Sequence, residues 1–472
     1  MSPTRVVEHP TPEQRVSVGR AARAAVPRSS HGTWAPAADR PDPVGLLRQQ
    51  AVTRVPDLVP IRHARMLASP FAFYRGAAAI MATDLAGTPN SGIRVQCCGD
   101  AHLANFGGFA APDRTLVFDV NDFDETLPGP WEWDVKRLAA SFDIAARSRE
   151  FDDKTRTRIV RETVRSYRDA MREYAGTRNL DLWYLRLDEA TVFERWHDKV
   201  SPAAMKRYQK NVAKARTRDS LGAFAKLTGT VDGRVRIISN PPLVVPLEEL
   251  LPDVAASQLR AQLHEWFRGY RRTLQPDRRQ ILETFELADF ARKVVGVGSV
   301  GTRSWIALLL GRDGGDPLFL QIKEAEASVL EPYVGKASYA HHGRRVVEGQ
   351  RMMQSASDIF LGWDRAAGMD GIQRDFYVRQ LWDGKMSADV DTMNPEVLSI
   401  YGELCGSTLA RAHARSGDRI AIASYLGTGD TFDRAIAEFA TAYADQNQRD
   451  YESVAAAAKA GVIPVDESEA AK

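Results

Sequence analysis

The feature that most constrains this chain is a change of texture partway along it. Residues 291–385 read as strands, and the stretches on either side read as helices. KVVGVGSVGTRSWIALLLG and DPLFLQIKEA are apolar, β-like runs joined by the turn RDGGD, and DFYVRQLW is a further strand. Helical spacing of apolar residues marks TRIVRETVRSYRDAMREY before them, and VLSIYGELCGSTLARAHAR and TFDRAIAEFATAYADQNQRDY after them. Segregation of this kind predicts an α+β architecture, a small β-rich unit beside a larger helical one. No repeat at a solenoid period is present.

On this reading the chain has four parts. Residues 1–60 hold nine of the 24 prolines and predict an irregular arm packed over the body. Residues 61–290 predict a helical lobe. It opens with one helix over MLASPFAFYRGAAAIMATDLAG and includes the basic helix KRYQKNVAKARTR and the Asp-Gly hairpin FAKLTGTVDGRVRIIS. Residues 291–385 form the β-rich lobe. Residues 386–472 return as helices that pack on the helical lobe.

Composition excludes several classes. The chain has 472 residues, with 63 basic against 61 acidic side chains and a net charge of +2, which gives no reason to expect nucleic-acid binding. Its longest apolar runs, such as SWIALLL, are far short of the ~20 residues a membrane span needs. The first residues lack the apolar core of a secretory signal. Three cysteines, Cys97, Cys98 and Cys405, offer neither a CxxC site nor a favourable disulfide. A reduced, cytoplasmic protein is expected. Lysine is scarce, 13 against 50 arginines, so a lysine in a special place carries information.

Four constellations carry chemistry. The first is Gly99-Asp100-Ala101-His102-Leu103-Ala104-Asn105, followed by Asp122 at the end of an apolar strand. An Asp with an Asn five residues on, then a strand-borne Asp, is the layout of a phosphotransferase catalytic loop. Asp100 would orient the attacking hydroxyl, and Asn105 and Asp122 would offer oxygen ligands to Mg²⁺. Asp119 and Asp124 flank Asp122 and are alternative or second ligands. The second is Gly296-Val297-Gly298-Ser299-Val300-Gly301, set between strands. A dinucleotide loop runs into a helix, whereas strand–glycine loop–strand is the kind that covers ATP phosphates. The third is Lys323, on the next strand, placed to pair with those phosphates. The fourth is Glu348 on the following helix, a candidate partner for Lys323 in competition with Glu324, Glu326 and Glu331.

These parts make up a kinase-like site in an unusual order. The glycine loop, Lys323 and Glu348 follow the catalytic loop instead of preceding it, so a circularly permuted, two-lobed kinase-like fold is expected. Asp134 is a candidate anchor for the catalytic loop, and Arg75 a candidate for holding a carboxylate or phosphate. His102 and His413 read as structural.

RMLASPFAFYRGAAAIMATDLA, GDAHLANFGGF, FDVNDFDETLPGPWEWDVKRLA, VVGVGSVGTRSWIALLLG and GRRVVEGQRMMQSASDIFLGW together resemble the bacterial family called domain of unknown function 2252. The resemblance covers nearly the whole chain and implies kinship without an activity. A looser resemblance is to the aminoglycoside phosphotransferase and choline kinase branch of the protein-kinase-like superfamily. Asp100 and Asn105 match its GDxxxxN core, and Asp122-Phe123 its metal strand. Gly296, Gly298, Gly301 and Lys323 are the matching positions of its nucleotide lobe. Cys98 stands where that branch usually has His.

The expectation is therefore an ATP- and Mg²⁺-dependent phosphotransferase acting on a hydroxyl of a small molecule or, less favoured, of a protein. Rival readings are a nucleotide-binding pseudokinase, a metal-dependent phosphoesterase using His102 and the nearby acids, and a transferase of AMP instead of phosphate.

Overall fold

Helix Asp153–Gly176 starts where the Asp152 side chain accepts a hydrogen bond from Thr155 N at 2.8 Å, and it buries Ile159, Val160, Thr163, Val164, Tyr167 and Met171 along one stripe. That stripe lies against helix Pro395–Ser416. The approach is close because of Gly406, where an added Cβ would sit 2.3 Å from the Thr163 carbonyl oxygen. Helices Trp131–Ser148 and Thr431–Lys459 pack alongside and complete a helical body. The C-terminal helices thus return to the body as their apolar stripes require.

The computed structural model of the protein describes residues 9–470 apart from residues 200, 218, 232, 253–255, 295, 369 and 382. Its architecture is mixed α+β, with several small antiparallel sheets. The largest has six strands in the order Gly362–Ala367, Gln373–Gln380, Pro317–Ala325, Ser304–Leu310, Glu286–Lys293 and Val244–Pro246. Strand Pro317–Ala325 is buried throughout, as a long apolar run in a central strand should be. Alternate residues of Ser304–Leu310 serve opposite faces. Ala307 and Leu309 join Phe267 and Tyr270, whereas Ile306 and Leu308 join Ala223 and Leu227. Lys323 pairs in register with Ser304 on one side and Tyr377 on the other. Helix His342–Met353 packs between this sheet and the body core through Val346 and Val347.

Three expectations need correction. Residues 1–60 are not irregular over the described part: Pro12–Ala25 and Pro43–Ala51 are helices. Their prolines stand at the first helical position, where a missing N–H costs nothing, capped by Thr11 and Asp42. The helix expected over 66–87 is broken into Pro70–Gly76 and Ala78–Ala86, preceded by Val59–Leu67, with Ser69 capping the restart at Pro70. The β-rich unit also begins before residue 291. Ala223, Leu227, Phe267 and Tyr270 pack on the six-stranded sheet, not on the helical body. The basic helix forms over Pro202–Arg216, and the hairpin pairs Thr228–Val231 with Arg234–Ile237. Residue 232 of its turn and Trp382 of DFYVRQLW lie outside the described residues. Among those residues no helix is long and apolar enough to cross a membrane.

The N-terminal segment is pinned to the body by His31, which is 1% exposed and shares a 2.6 Å hydrogen bond between Nε2 and the Tyr425 hydroxyl. Burial, then the charge of Lys136, pushes its pKa down to about 3. Below about pH 6.5 the unfolded chain takes up a proton that the folded chain refuses, so stability falls with pH. At pH 5 the expected loss from this residue is about 2 kcal/mol. Denaturant unfolding of wild type and His31→Gln at pH 7 and pH 5 checks this, since the variant should lose less stability on acidification.

Candidate functional site

Strand Arg94–Cys97 runs into the loop that carries Asp100 and Asn105. Gly99 makes the turn at φ +81°, and an added Cβ there would sit 2.4 Å from the Glu125 carbonyl oxygen. Asp134, at the start of helix Trp131–Ser148, accepts hydrogen bonds from Cys98 N at 2.7 Å and Gly99 N at 3.0 Å. The Nε2 of His413 lies 3.1 Å from Asp134 Oδ2, and the Tyr167 hydroxyl lies 2.9 Å from His413 Nδ1. Asp134 thus anchors the loop and His413 braces Asp134. Leu103 N donates to Ser141 Oγ at 3.0 Å on the same helix.

Within the loop, Asn105 Nδ2 donates to the Asp100 carbonyl oxygen at 2.8 Å, which leaves the amide oxygen to face a ligand. Arg137 donates to Asp100 Oδ1 through Nε at 2.9 Å and Nη2 at 2.7 Å, with its guanidinium 3.9 Å from the Tyr74 ring centroid. Asp100 Oδ2 has His102 Nε2 at 3.7 Å. Burial, then Arg137 and Arg75, lowers the His102 pKa well below the usual imidazole range, so this ring is neutral.

The turn after strand Leu116–Val120 brings acids to the same place. Lys323 is 3% exposed, and its Nζ donates to Asp124 Oδ2 at 2.5 Å. The Tyr377 hydroxyl donates to Asp124 Oδ1 at 2.6 Å, and Ser299 Oγ to Oδ2 at 3.3 Å. Burial alone would lower the Lys323 pKa, but the charge of Asp124, followed by Tyr377 and Asp122, raises it. Burial works to raise the Asp124 pKa, and Lys323 and Tyr377 overcome it. Asp122 is left without such a partner. Burial, then repulsion by Asp124, pushes its pKa up. Glu125 is pushed up to about 7 by burial, against the opposing charge of Arg345.

Asp100, His102, Asn105, Asp122, Asp124, Gly296, Gly298 and Ser299 line one cleft of about 470 Å³. Segments far apart in the chain therefore converge on one cleft. The glycine loop is held from outside: Val55 N donates to the Gly301 oxygen at 2.7 Å, Arg65 Nη1 to the Gly296 oxygen at 2.9 Å, and Arg54 to the Val300 oxygen.

Four expected site residues are not among its lining: Asp119, Glu348, Gly301 and Lys323, the last of which meets the cleft only through Asp124. Asp119 is fully buried, ion-paired with Arg411 and bonded by Ser355 N at 2.9 Å and Ser355 Oγ at 3.0 Å. Its oxygens are committed, so it is no metal ligand here. Removing its charge by Asp119→Ala strands Arg411 and should cost about 3–5 kcal/mol in denaturant unfolding. Glu348 lies 3.8 Å from both Arg344 and Arg351 on its own helix, and the partner of Lys323 is Asp124. That helix instead sends Arg345 inward, donating to the carbonyl oxygens of Thr126 at 2.7 Å, Asp124 at 2.8 Å and Glu326 at 2.8 Å.

Sequence reasoning missed Arg54, Arg62, Glu125 and Tyr377. Arg54, Arg62 and Glu125 line the cleft, and Arg75 joins them there. Arg54 stands in the loop after helix Pro43–Ala51 and Arg62 in the short helix Val59–Leu67, where no spacing marks them, whereas Tyr377 was readable only once its register with Lys323 was known. Among the described residues, no three His, Cys, Asp or Glu side chains converge as a metal cage.

No curated protein and no solved structure matches the chain. The family described as "Uncharacterized protein conserved in bacteria (DUF2252)" matches residues 54–457. That span takes in every lining residue from Arg54 to Val329 and the His413 brace, and the chain belongs to this family.

Proposed function

We propose that this protein is an ATP- and Mg²⁺-dependent phosphotransferase of protein-kinase-like type, acting on the hydroxyl of a small molecule. The observation that carries the reading is the meeting, in one cleft, of the Asp100–Asn105 loop, the Asp122–Asp124 turn and the glycine loop, with Lys323 paired to Asp124. Further support comes from strand count. Starting from Glu286–Lys293, the glycine loop joins the first two strands and Lys323 sits on the third, the position of the phosphate-binding lysine in protein kinases. The order of motifs along the chain is reversed, but catalysis depends on where groups meet and not on their order.

The donor set fits the expected ligands. Asp122 and Asp124 face one cleft and repel each other, and a divalent cation relieves such a pair. Magnesium is usually held by one or two protein oxygens plus phosphates, so a three-ligand cage is not needed. Asn105 and Asp122 would hold Mg²⁺, and Lys323 with the backbone of residues 296–301 would hold the phosphates. The bound pair supplies the phosphoryl group and neutralises its charge. Asp100 does the positioning: Oδ1 is fixed by Arg137, which leaves Oδ2 to accept a hydrogen bond from the attacking hydroxyl. Arg345 keeps the acidic turn in place through its backbone, a task that needs no carboxylate on the helix.

Calorimetric titration of the full chain with ATP, with and without Mg²⁺, tests this. Binding in the micromolar to millimolar range that disappears with EDTA is expected, followed by transfer of labelled γ-phosphate. Binding without any turnover would leave a nucleotide sensor, and no binding at all would remove the reading.

A further inference from the structure

The wall facing the acids is cationic and incompletely bonded. Arg62 is 1% exposed, donates through Nη2 to Gln50 Oε1 at 3.0 Å and the Gly76 oxygen at 3.2 Å, and keeps Nε and Nη1 buried without a partner. The Nε atoms of Arg54 and Arg75 are likewise buried and unpartnered. All three residues line the cleft. Burial, then the charge of Arg54, pushes the Arg62 pKa well down, and no carboxylate offsets it. Arg75 and Arg54 are different: after burial, Asp100 and Asp122 act most strongly on Arg75, and Glu326, Glu125 and Glu324 on Arg54. A buried guanidinium with no counter-ion is costly, and a fold keeps it where a ligand supplies the missing charge.

We propose that Arg62 and Arg75, with Arg54 beside them, form a phosphate-binding subsite for the acceptor, so that the substrate is an alcohol already carrying a phosphate group. The word acceptor rests on the phosphotransferase reading; the anion site itself does not. Three guanidinium groups suit a dianionic phosphate better than a single carboxylate. The site borders the glycine loop, since Arg54 donates to the Val300 oxygen and an added Cβ at Gly298 would sit 3.2 Å from the Arg75 oxygen. Its other edge reaches Asp100: Arg75 belongs to helix Pro70–Gly76, which packs on helix Trp131–Ser148, and Arg137 of that helix donates to Asp100 Oδ1 at 2.7 Å and to the Tyr74 oxygen at 2.8 Å. An anion held by Arg62 and Arg75 therefore sits beside Asp100, where the accepting hydroxyl must be.

Inorganic phosphate is the probe, titrated into the full chain alone and after saturation with Mg²⁺ and a non-hydrolysable ATP analogue. Phosphate should bind in both states and raise the melting temperature by a few degrees. Arg75→Gln and Arg62→Met should each weaken phosphate binding ~10-fold or more while the nucleotide still binds. Arg62→Met should melt no lower than wild type without ligand, because it removes an unpaired buried charge. If that variant fails to fold, Arg75→Gln alone carries the test. Competition between phosphate and the nucleotide analogue would assign the arginines to ATP and overturn the proposal. Equal affinity in wild type and variants, or no binding to wild type, would also overturn it. Acetate binding as tightly as phosphate would reject the phosphate assignment. Phosphate binding that depends on the arginines in a protein that binds no nucleotide would keep the anion site and sink the phosphotransferase reading.

Discussion

With the proposed nucleotide site, Lys323→Met should lower affinity for Mg²⁺-ATP by about 100-fold or more and destabilise the fold by about 3 kcal/mol. The two losses have one origin. Lys323 is buried and neutralises Asp124, which lines the cleft and whose other oxygen is bonded by Tyr377. Without the ammonium group, Asp124 stays partly buried beside Asp122, and only the charge of Arg379 is left to offset the two acids. The double variant Lys323→Met with Asp124→Asn should recover most of the stability, because the stranded charge is gone. It should not recover binding, because the phosphate partner is still missing. Urea unfolding and calorimetry on the same samples separate the two effects. A double variant that bound ATP like wild type would reduce Lys323 to a structural counter-ion.

Asp100→Asn should lower turnover ~10³-fold while leaving nucleotide affinity within about twofold. The experiment matters because Asp100 has a plain structural use as well, as counter-ion to Arg137. Asn keeps an oxygen for that contact, so the cost in stability should stay near 2 kcal/mol. If turnover survived the change, the carboxylate would be present for Arg137 alone. A loss of turnover with ATP still bound would place Asp100 at the accepting hydroxyl.

The parts of the site that were legible were those carried by local pattern. An apolar run predicted the central strand Pro317–Ala325, and its single lysine stood out in a lysine-poor chain. Gly99, Asp100 and Asn105 were legible as a loop because strand and helix signals stop on either side. Asp134 was legible as an anchor because an acid at a helix start is well placed to accept backbone N–H groups. Which acid meets Lys323 was not legible. Asp124 and Glu348 are both acids within reach of a plausible fold, and only the sheet register and the inward Arg345 decide between them. Asp119 misled because it shares a stretch with Asp122, yet its strand is buried along its whole length. An acid there needs an internal cation, and Arg411 lies 292 positions away. Of the arginine wall, Arg75 was legible as an anion-holding candidate, whereas Arg54 stands in a loop of the arm that read as irregular and Arg62 in a short helix whose apolar spacing is too brief to mark it.

The brace between Asp134 and His413 joins residues 279 positions apart. At a synthesis rate of ~5–20 residues per second, the ribosome releases the catalytic loop more than ten seconds before the histidine that steadies its anchor. The same delay separates the apolar stripe of helix Asp153–Gly176 from the helix that covers it. A growing chain therefore carries its chemistry early and in an unbraced form. The stripe of helix Asp153–Gly176 stays uncovered until synthesis is nearly finished.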